Sequence, residues 1–253
     1  MPPADVLVDL AAEVRSDPAS LGLILHGSRA SGVESPGSDY DLIRVVTEDA
    51  YAARQERGEL QERREAPGAP KLDIVHQSIG RLRRHAEEPG WWTATYADAR
   101  VLVDDTGEIG RVLERIAAGG GEASWNGVAE AYDSYLNSWV RSLKAWRAGD
   151  ALGGRLHAAE SALYLIRTLF GLERRWPPYH DRLAPELHAI EEAQGWEPGF
   201  LERALLELLG CGRPEFEQEL EQRVEDLLAA RGFPHEWGTD LEPLKALTWQ
   251  RRP

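Results

Sequence analysis

The chain has 253 residues, with 29 Lys and Arg against 43 Asp and Glu and a formal net charge of −14. That length suits one or two domains, and 42% apolar residues with 9 Trp can bury a sizeable core. No apolar run approaches the roughly 20 residues of a membrane span, the N-terminus lacks the basic start and apolar block of a signal peptide, and the single cysteine, Cys211, permits neither an internal disulfide nor a cysteine zinc site.

The expected location is therefore the cytoplasm. The acidic balance argues against a nucleic-acid substrate, since a protein gripping a polyphosphate backbone is usually basic. It favours a small or cationic partner instead.

Taken in order, residues 4–16 repeat Val6, Leu10 and Val14 at helical spacing, and Asp17-Pro18 stops that helix. LGLILHG, 21–27, reads as a short buried strand ending on glycine. Residues 28–38 are a turn-rich loop with room for one helical turn. YDLIRVVT, 40–47, alternates and is β-branched, a strand. Residues 48–65 read as an exposed charged helix broken by the Pro and Gly of 67–70. KLDIVHQS, 71–78, is a third strand, followed by a helix to about Glu88, a strand over 99–105 and a helix over 108–118.

Gly119-Gly120-Gly121 marks a boundary, after which strand signals vanish. Residues 126–148 carry Val128, Tyr132, Tyr135, Trp139, Leu143 and Trp146 at a spacing of three to four. Residues 155–171 carry Leu156, Ala159, Leu163, Ile166 and Phe170. Further amphipathic stretches at 182–194, 199–209 and 215–230 complete a helix bundle, with an irregular tail from Gly232. The expected class is α+β: a small mixed β-sheet domain over 1–118 followed by an all-α bundle over 122–253.

The stretch that carries chemistry is Gly27-Ser28, then, after ten residues, Asp39-Tyr40-Asp41-Leu42, with Asp73 inside the next strand. Side chains two apart on a strand share a face about 7 Å apart, so Asp39 and Asp41 point together. Asp73, Val75 and Gln77 share one face of their strand, while Leu72, Ile74 and His76 take the other. An aspartate in KLDIVHQ is costly to bury unless it binds something. If the strands are neighbours, three carboxylates converge and repel unless a cation joins them. Magnesium, a hard ion that prefers oxygen ligands, suits them, and two such ions about 3.5–4 Å apart would activate a hydroxyl and stabilise a leaving pyrophosphate. Gly27 lets the backbone approach a phosphate, and Ser28 offers a hydroxyl and an N–H at a helix start. Solvated-turn and strand-start readings exist for each element alone; their joint occurrence points to nucleoside-triphosphate chemistry.

The pattern Gly27-Ser28-x10-Asp39-x-Asp41-Leu42, with Asp73 on a following strand, resembles the nucleotidyltransferase superfamily that includes DNA polymerase β. With its helical second half the chain is similar to smaller bacterial members, the kanamycin, streptomycin and lincosamide nucleotidyltransferases. The resemblance implies transfer of a nucleoside monophosphate from a triphosphate to a hydroxyl, with release of pyrophosphate. It implies that Asp39 and Asp41 bind two magnesium ions and that Asp73 holds the catalytic one. The triphosphate contacts it implies are Gly27, Ser28, Ser38 and the bundle lysine Lys144. The streptomycin-type enzymes have no clear aspartate at the place of Asp73, so there the match is to the broader superfamily, and no aminoglycoside-specific motif is visible.

Lys144, with Arg141 on the same face, is equally readable as a snorkelling surface residue. Glu160 is the candidate general base. An exposed, helix-paired glutamate is its bland alternative, and Glu87 and Glu88 compete for the role. Arg175-x4-His180 matches the spacing of a family of helical ribonucleases, but Pro177-Pro178 breaks the helix that pair would need. His26 and His76 read as packed histidines. The expected partners are a nucleoside triphosphate and a small acceptor such as an aminoglycoside, held between the two domains of a monomer or homodimer. A protein or tRNA acceptor, and a nucleotide-binding module without turnover, are the rival readings.

Overall fold

Residues 3–35, 37–65, 67–88, 90–96 and 98–249 are described by a computed structural model of the chain. They form an α+β architecture in two units, 1–120 and 121–253. No helix among the described residues is long and apolar enough to cross a membrane.

The first unit is built on five strands: β1 (Ser20–His26), β2 (Tyr40–Val46), β3 (Gln61–Arg64), β4 (Leu72–Ser78) and β5 (Arg100–Val103). Their order in the sheet is β3-β4-β2-β1-β5. β2 and β4 run parallel, and the other neighbours are antiparallel. Period-two alternation splits the strand side chains between two cores. Leu23, Leu25, Leu42, Leu72 and Ile74 pack with Leu10 and Val14 of α1 (Pro3–Ser16). Ile24, Ile43 and Val45 pack on the opposite side with Leu82 of α4 (Ile79–Glu87) and with Ile109, Val112 and Ile116 of α5 (Glu108–Asn126).

Polar groups also tie α1 to the sheet. Arg44, buried on β2, donates to Glu13 at 2.6 Å, Asp17 at 2.8 Å and the Ser20 hydroxyl at 2.7 Å. Arg64 also donates to Glu13, at 2.7 Å. Arg64 first, then Arg44, holds the Glu13 carboxyl at about 2, below the usual carboxylate range.

Two boundaries differ from the sequence expectation. The charged helix expected over 48–65 is α3 (Glu48–Arg57) followed by the edge strand β3. Gly58, at φ 72°, closes α3 in the left-handed conformation that stops helices. The helix expected over 108–118 continues as α5 through the three glycines to Asn126. Glycine lowers helix propensity by about 1 kcal/mol relative to alanine, but packed neighbours on either side override it. The division of the chain at Gly120 and Gly121 thus falls inside a helix.

The second unit contains α6 (Val128–Ala148), α7 (Ala151–Leu172), α8 (Leu183–Gln194), α9 (Phe200–Gly210), α10 (Pro214–Ala230) and α11 (Glu242–Lys245). Its core gathers Tyr132, Tyr135, Leu136, Trp139 and Leu143 of α6 with Leu165, Leu169 and Phe170 of α7 and with leucines of α9 and α10. The stripe read for α7 holds at its C-terminal end, where Ile166 and Phe170 are buried, and is rotated before it. Ala158, Ala162, Leu165 and Leu169 are buried, whereas Leu156 is 61% and Leu163 43% exposed. α7 is apolar nearly all round, so spacing alone does not select a face. Small residues take the seam with α6: a Cβ on Gly154 would lie 2.7 Å from the Trp146 indole nitrogen.

The segment after Gly232 is docked rather than irregular. Leu241 and Leu244 are buried, and Gln218 donates to the Leu244 carbonyl at 2.6 Å.

Candidate active site

β1 delivers the chain to Gly27, whose φ of 71° and ψ of −156° lie in a region open essentially to glycine alone. A Cβ there would stand 2.2 Å from Oδ2 of Asp41. Glycine is therefore required twice, for backbone conformation and for the approach to a carboxylate. The four-residue helix α2 (Ser28–Ser31) follows and ends at Gly32, φ 73°.

The loop back to β2 is tied by arginines. Arg29 donates to the Ser38 carbonyl from Nε at 3.0 Å and Nη2 at 2.7 Å, and to the Asp39 carbonyl at 3.2 Å. Its guanidinium lies 4.2 Å over the Tyr40 ring. Arg100 of β5 donates to the carbonyls of Arg29 at 2.9 Å and Ala30 at 3.2 Å. The Ser38 hydroxyl is spent inside the loop, accepting from the Ser35 N–H at 2.9 Å.

Register then aligns four chemically active residues across four strands. Arg63 on β3 faces Asp73 on β4, Asp73 faces Asp41 on β2, and Asp41 faces His26 on β1. Residues in register on neighbouring strands project to the same side of the sheet. Asp39 lies two residues before Asp41, just ahead of β2. Arg63 clamps Asp73 with both arms, Nε to Oδ1 at 2.7 Å and Nη2 to Oδ2 at 3.1 Å.

That pairing first, with the charge of Lys71 adding to it, holds the Asp73 carboxyl below the usual carboxylate range. Burial lowers the pKa of His26, and the Asp41 charge opposes the shift. His76 is buried on the other face, away from Asp73, with Nε2 3.4 Å from Glu62.

The donor set is all carboxylate oxygen, the chemistry a hard divalent cation requires, and the guanidinium on Asp73 is itself a stand-in cation. In the arrangement seen, no group of three or more His, Cys, Asp or Glu side chains among the described residues is gathered to hold a metal ion. Asp39 and Asp41 could supply the first ligands, and Asp73 could join them once it exchanges Arg63.

Gly27, Ser28, Ser38, Asp39, Asp41 and Asp73 all belong to the first unit, and Lys144 and Glu160 to the second. Lys144 is exposed on α6. Glu160 is exposed on α7, its Oε2 3.3 Å from Nδ1 of His157, beside Leu156, Leu163 and Leu209. Glu87 closes α4 as its last residue, with Glu88 as its C-cap. Arg175 pairs with Glu186, and His180 opens a single 3-10 turn.

Sequence reading missed Arg29, Arg63 and Arg100. Arg63 was findable only through Gly58: a helix stopped there leaves QERR, 61–64, to pair with the strand that follows.

No protein-family model matches the chain, and no curated protein matches it in sequence. Among solved structures, a crystal structure of a nucleotidyltransferase-like protein from Exiguobacterium sibiricum 255-15 is similar over 95% of this chain and 86% of that one. The TM-score is 0.45 and the identity 11%.

Proposed function

We propose that this chain is a cytoplasmic, magnesium-dependent nucleotidyltransferase that moves a nucleoside monophosphate from a triphosphate to a hydroxyl of a small cationic acceptor, such as an aminoglycoside. The acceptor oxygen attacks the α-phosphorus, the bond to the bridging oxygen breaks, and pyrophosphate leaves. The single observation that carries this reading is the row Asp73–Asp41 on parallel neighbouring strands, with Gly27 pressed against the Asp41 carboxylate.

Bound magnesium would supply charge neutralisation at the phosphates and a lowered pKa for the attacking hydroxyl. Asp39, Asp41 and Asp73 would hold it. Gly27, with no Cβ, leaves backbone room beside Asp41 for a phosphate, and Ser28 adjoins it. Arg29 and Arg100 hold the loop that fixes Asp39, so the carboxylate is positioned before a ligand arrives. Lys144 is proposed as a triphosphate contact and Glu160, oriented by His157, as the base that takes the acceptor proton. The net charge of −14 would concentrate a polycation near the protein.

The test is pyrophosphate release from each nucleoside triphosphate with magnesium, against a panel of aminoglycosides and lincosamides. Turnover with at least one pair, abolished in Asp39→Asn/Asp41→Asn, is the expected result. Triphosphate binding with no release for any acceptor would leave a binding module, and equal activity in the double variant would remove the metal assignment.

A further inference from the structure

Within that reading of the carboxylate row, on which this inference rests, we propose that Arg63 is a resident counter-cation: a divalent ion must displace it from Asp73, and a triphosphate then receives the displaced guanidinium. The site would so bind bare metal less tightly than metal together with nucleotide.

The placement of Arg63 is set by the fold rather than by chance packing. On β3, Arg63 is the register partner of Asp73. Its neighbours alternate to the other face, where Arg64 holds Glu13 and Glu62 lies 3.4 Å from the buried His76. Strand alternation therefore commits Arg63 to the same side as Asp73 and Asp41. Both Asp73 oxygens accept from the guanidinium fork, so a cation arriving at that residue meets the guanidinium charge at close range and competes with it.

The arginine side chain is 63% exposed, so the pair is solvated and weak. A weak pair sets a low barrier to exchange. A planar guanidinium with parallel donors matches a phosphate as well as a carboxylate, so the same group can serve both states. Two cations competing for one carboxylate, with one offered a new partner by the nucleotide, make metal and nucleotide binding mutually reinforcing.

The experiment measures manganese affinity by electron paramagnetic resonance, without and with a triphosphate analogue that cannot be cleaved between the α- and β-phosphorus. It uses the full chain, Arg63→Gln, Arg63→Lys and Asp39→Asn/Asp41→Asn. Arg63→Gln should bind bare manganese roughly 1.5- to fivefold more tightly than the unaltered chain, the range expected for losing an exposed competing ion pair. It should also bind the manganese–analogue pair more weakly, so that the coupling between the two ligands shrinks. Arg63→Lys, which keeps the charge without the fork, should fall between. Far-ultraviolet circular dichroism of Arg63→Gln should match that of the unaltered chain.

Manganese binding that needs Asp39 and Asp41 but is equally tight with and without Arg63 would overturn the inference and spare the metal reading. No manganese binding by any form, even with the analogue, would overturn both.

Discussion

Gly27 concentrates two demands at one Cα. Its φ and ψ are closed to side-chain-bearing residues at a cost of about 1–3 kcal/mol, and a methyl group would meet Asp41 at 2.2 Å. Gly27→Ala should therefore lower stability by about 1–3 kcal/mol and should also push the Asp41 carboxylate out of the row, with loss of nucleotide binding. Urea unfolding and nucleotide titration, run together, check both halves. A stable variant that still binds nucleotide would show that neither the conformation nor the approach matters.

This residue was legible in the sequence because its signal is local: a buried strand, a glycine, a serine and two aspartates at fixed spacing. Arg63 was not legible, because its meaning depends on a strand pairing. The four polar residues of β3 carry no apolar alternation, and the strand exists only because β4 offers it an edge. Arg29 and Arg100 were silent for the same reason: they act on carbonyls, and carbonyls have no sequence signature.

Elements were readable where periodicity had contrast. β1 and β2 stood out because each alternates into two cores, and β4 because its buried Leu72 and Ile74 alternate with Asp73 and the exposed Val75. α7 has leucine or alanine on every side, so its buried face is chosen by the small residues that let α6 approach.

α10 conceals a different feature. Glu217 and Glu221, one turn apart, are buried. The Ser142 hydroxyl lies 2.7 Å from Glu217 Oε1 and 2.9 Å from the Gly154 carbonyl. One hydroxyl has one proton, so both contacts are satisfied if a protonated Glu217 donates to the Ser142 oxygen while Ser142 donates to Gly154. Glu221 Oε1 accepts from the Tyr132 hydroxyl at 3.2 Å. Burial lifts each carboxyl to about 8 from an ordinary value of 4.5.

The sign follows from linkage. Between about 4.5 and about 8 the folded chain holds protons that the unfolded chain has released, so stability falls as pH rises through that window. The loss is on the order of 5 kcal/mol for each carboxyl at most. Urea midpoints at pH 5.5 and pH 8.5 should differ in that direction. Glu217→Gln/Glu221→Gln, which mimics the neutral pair, should flatten the difference. A midpoint unchanged across the window would mean that the two carboxyls are not buried as acids.

At the scale of the whole chain, charge is the dominant fact. An excess of 14 negative charges repels itself in the folded state and attracts polycations from solution. Both effects decay as the Debye length shrinks from about 10 Å at 0.1 M salt to about 3 Å at 1 M. Added salt should thus act in opposite directions on the two properties: it should raise the thermal midpoint by relieving self-repulsion and raise KM for a cationic acceptor by screening its capture. In the nucleotidyl transfer proposed above, the chemical step would lie among groups in contact, where screening is weak, so kcat should hold nearly constant. Initial rates for an aminoglycoside acceptor between 0.05 and 0.5 M salt separate the two parameters. A KM that ignores salt while the midpoint rises would show that the charge serves the solubility of the chain and that acceptor recognition is local. An acceptor without positive charge would then be the one to seek.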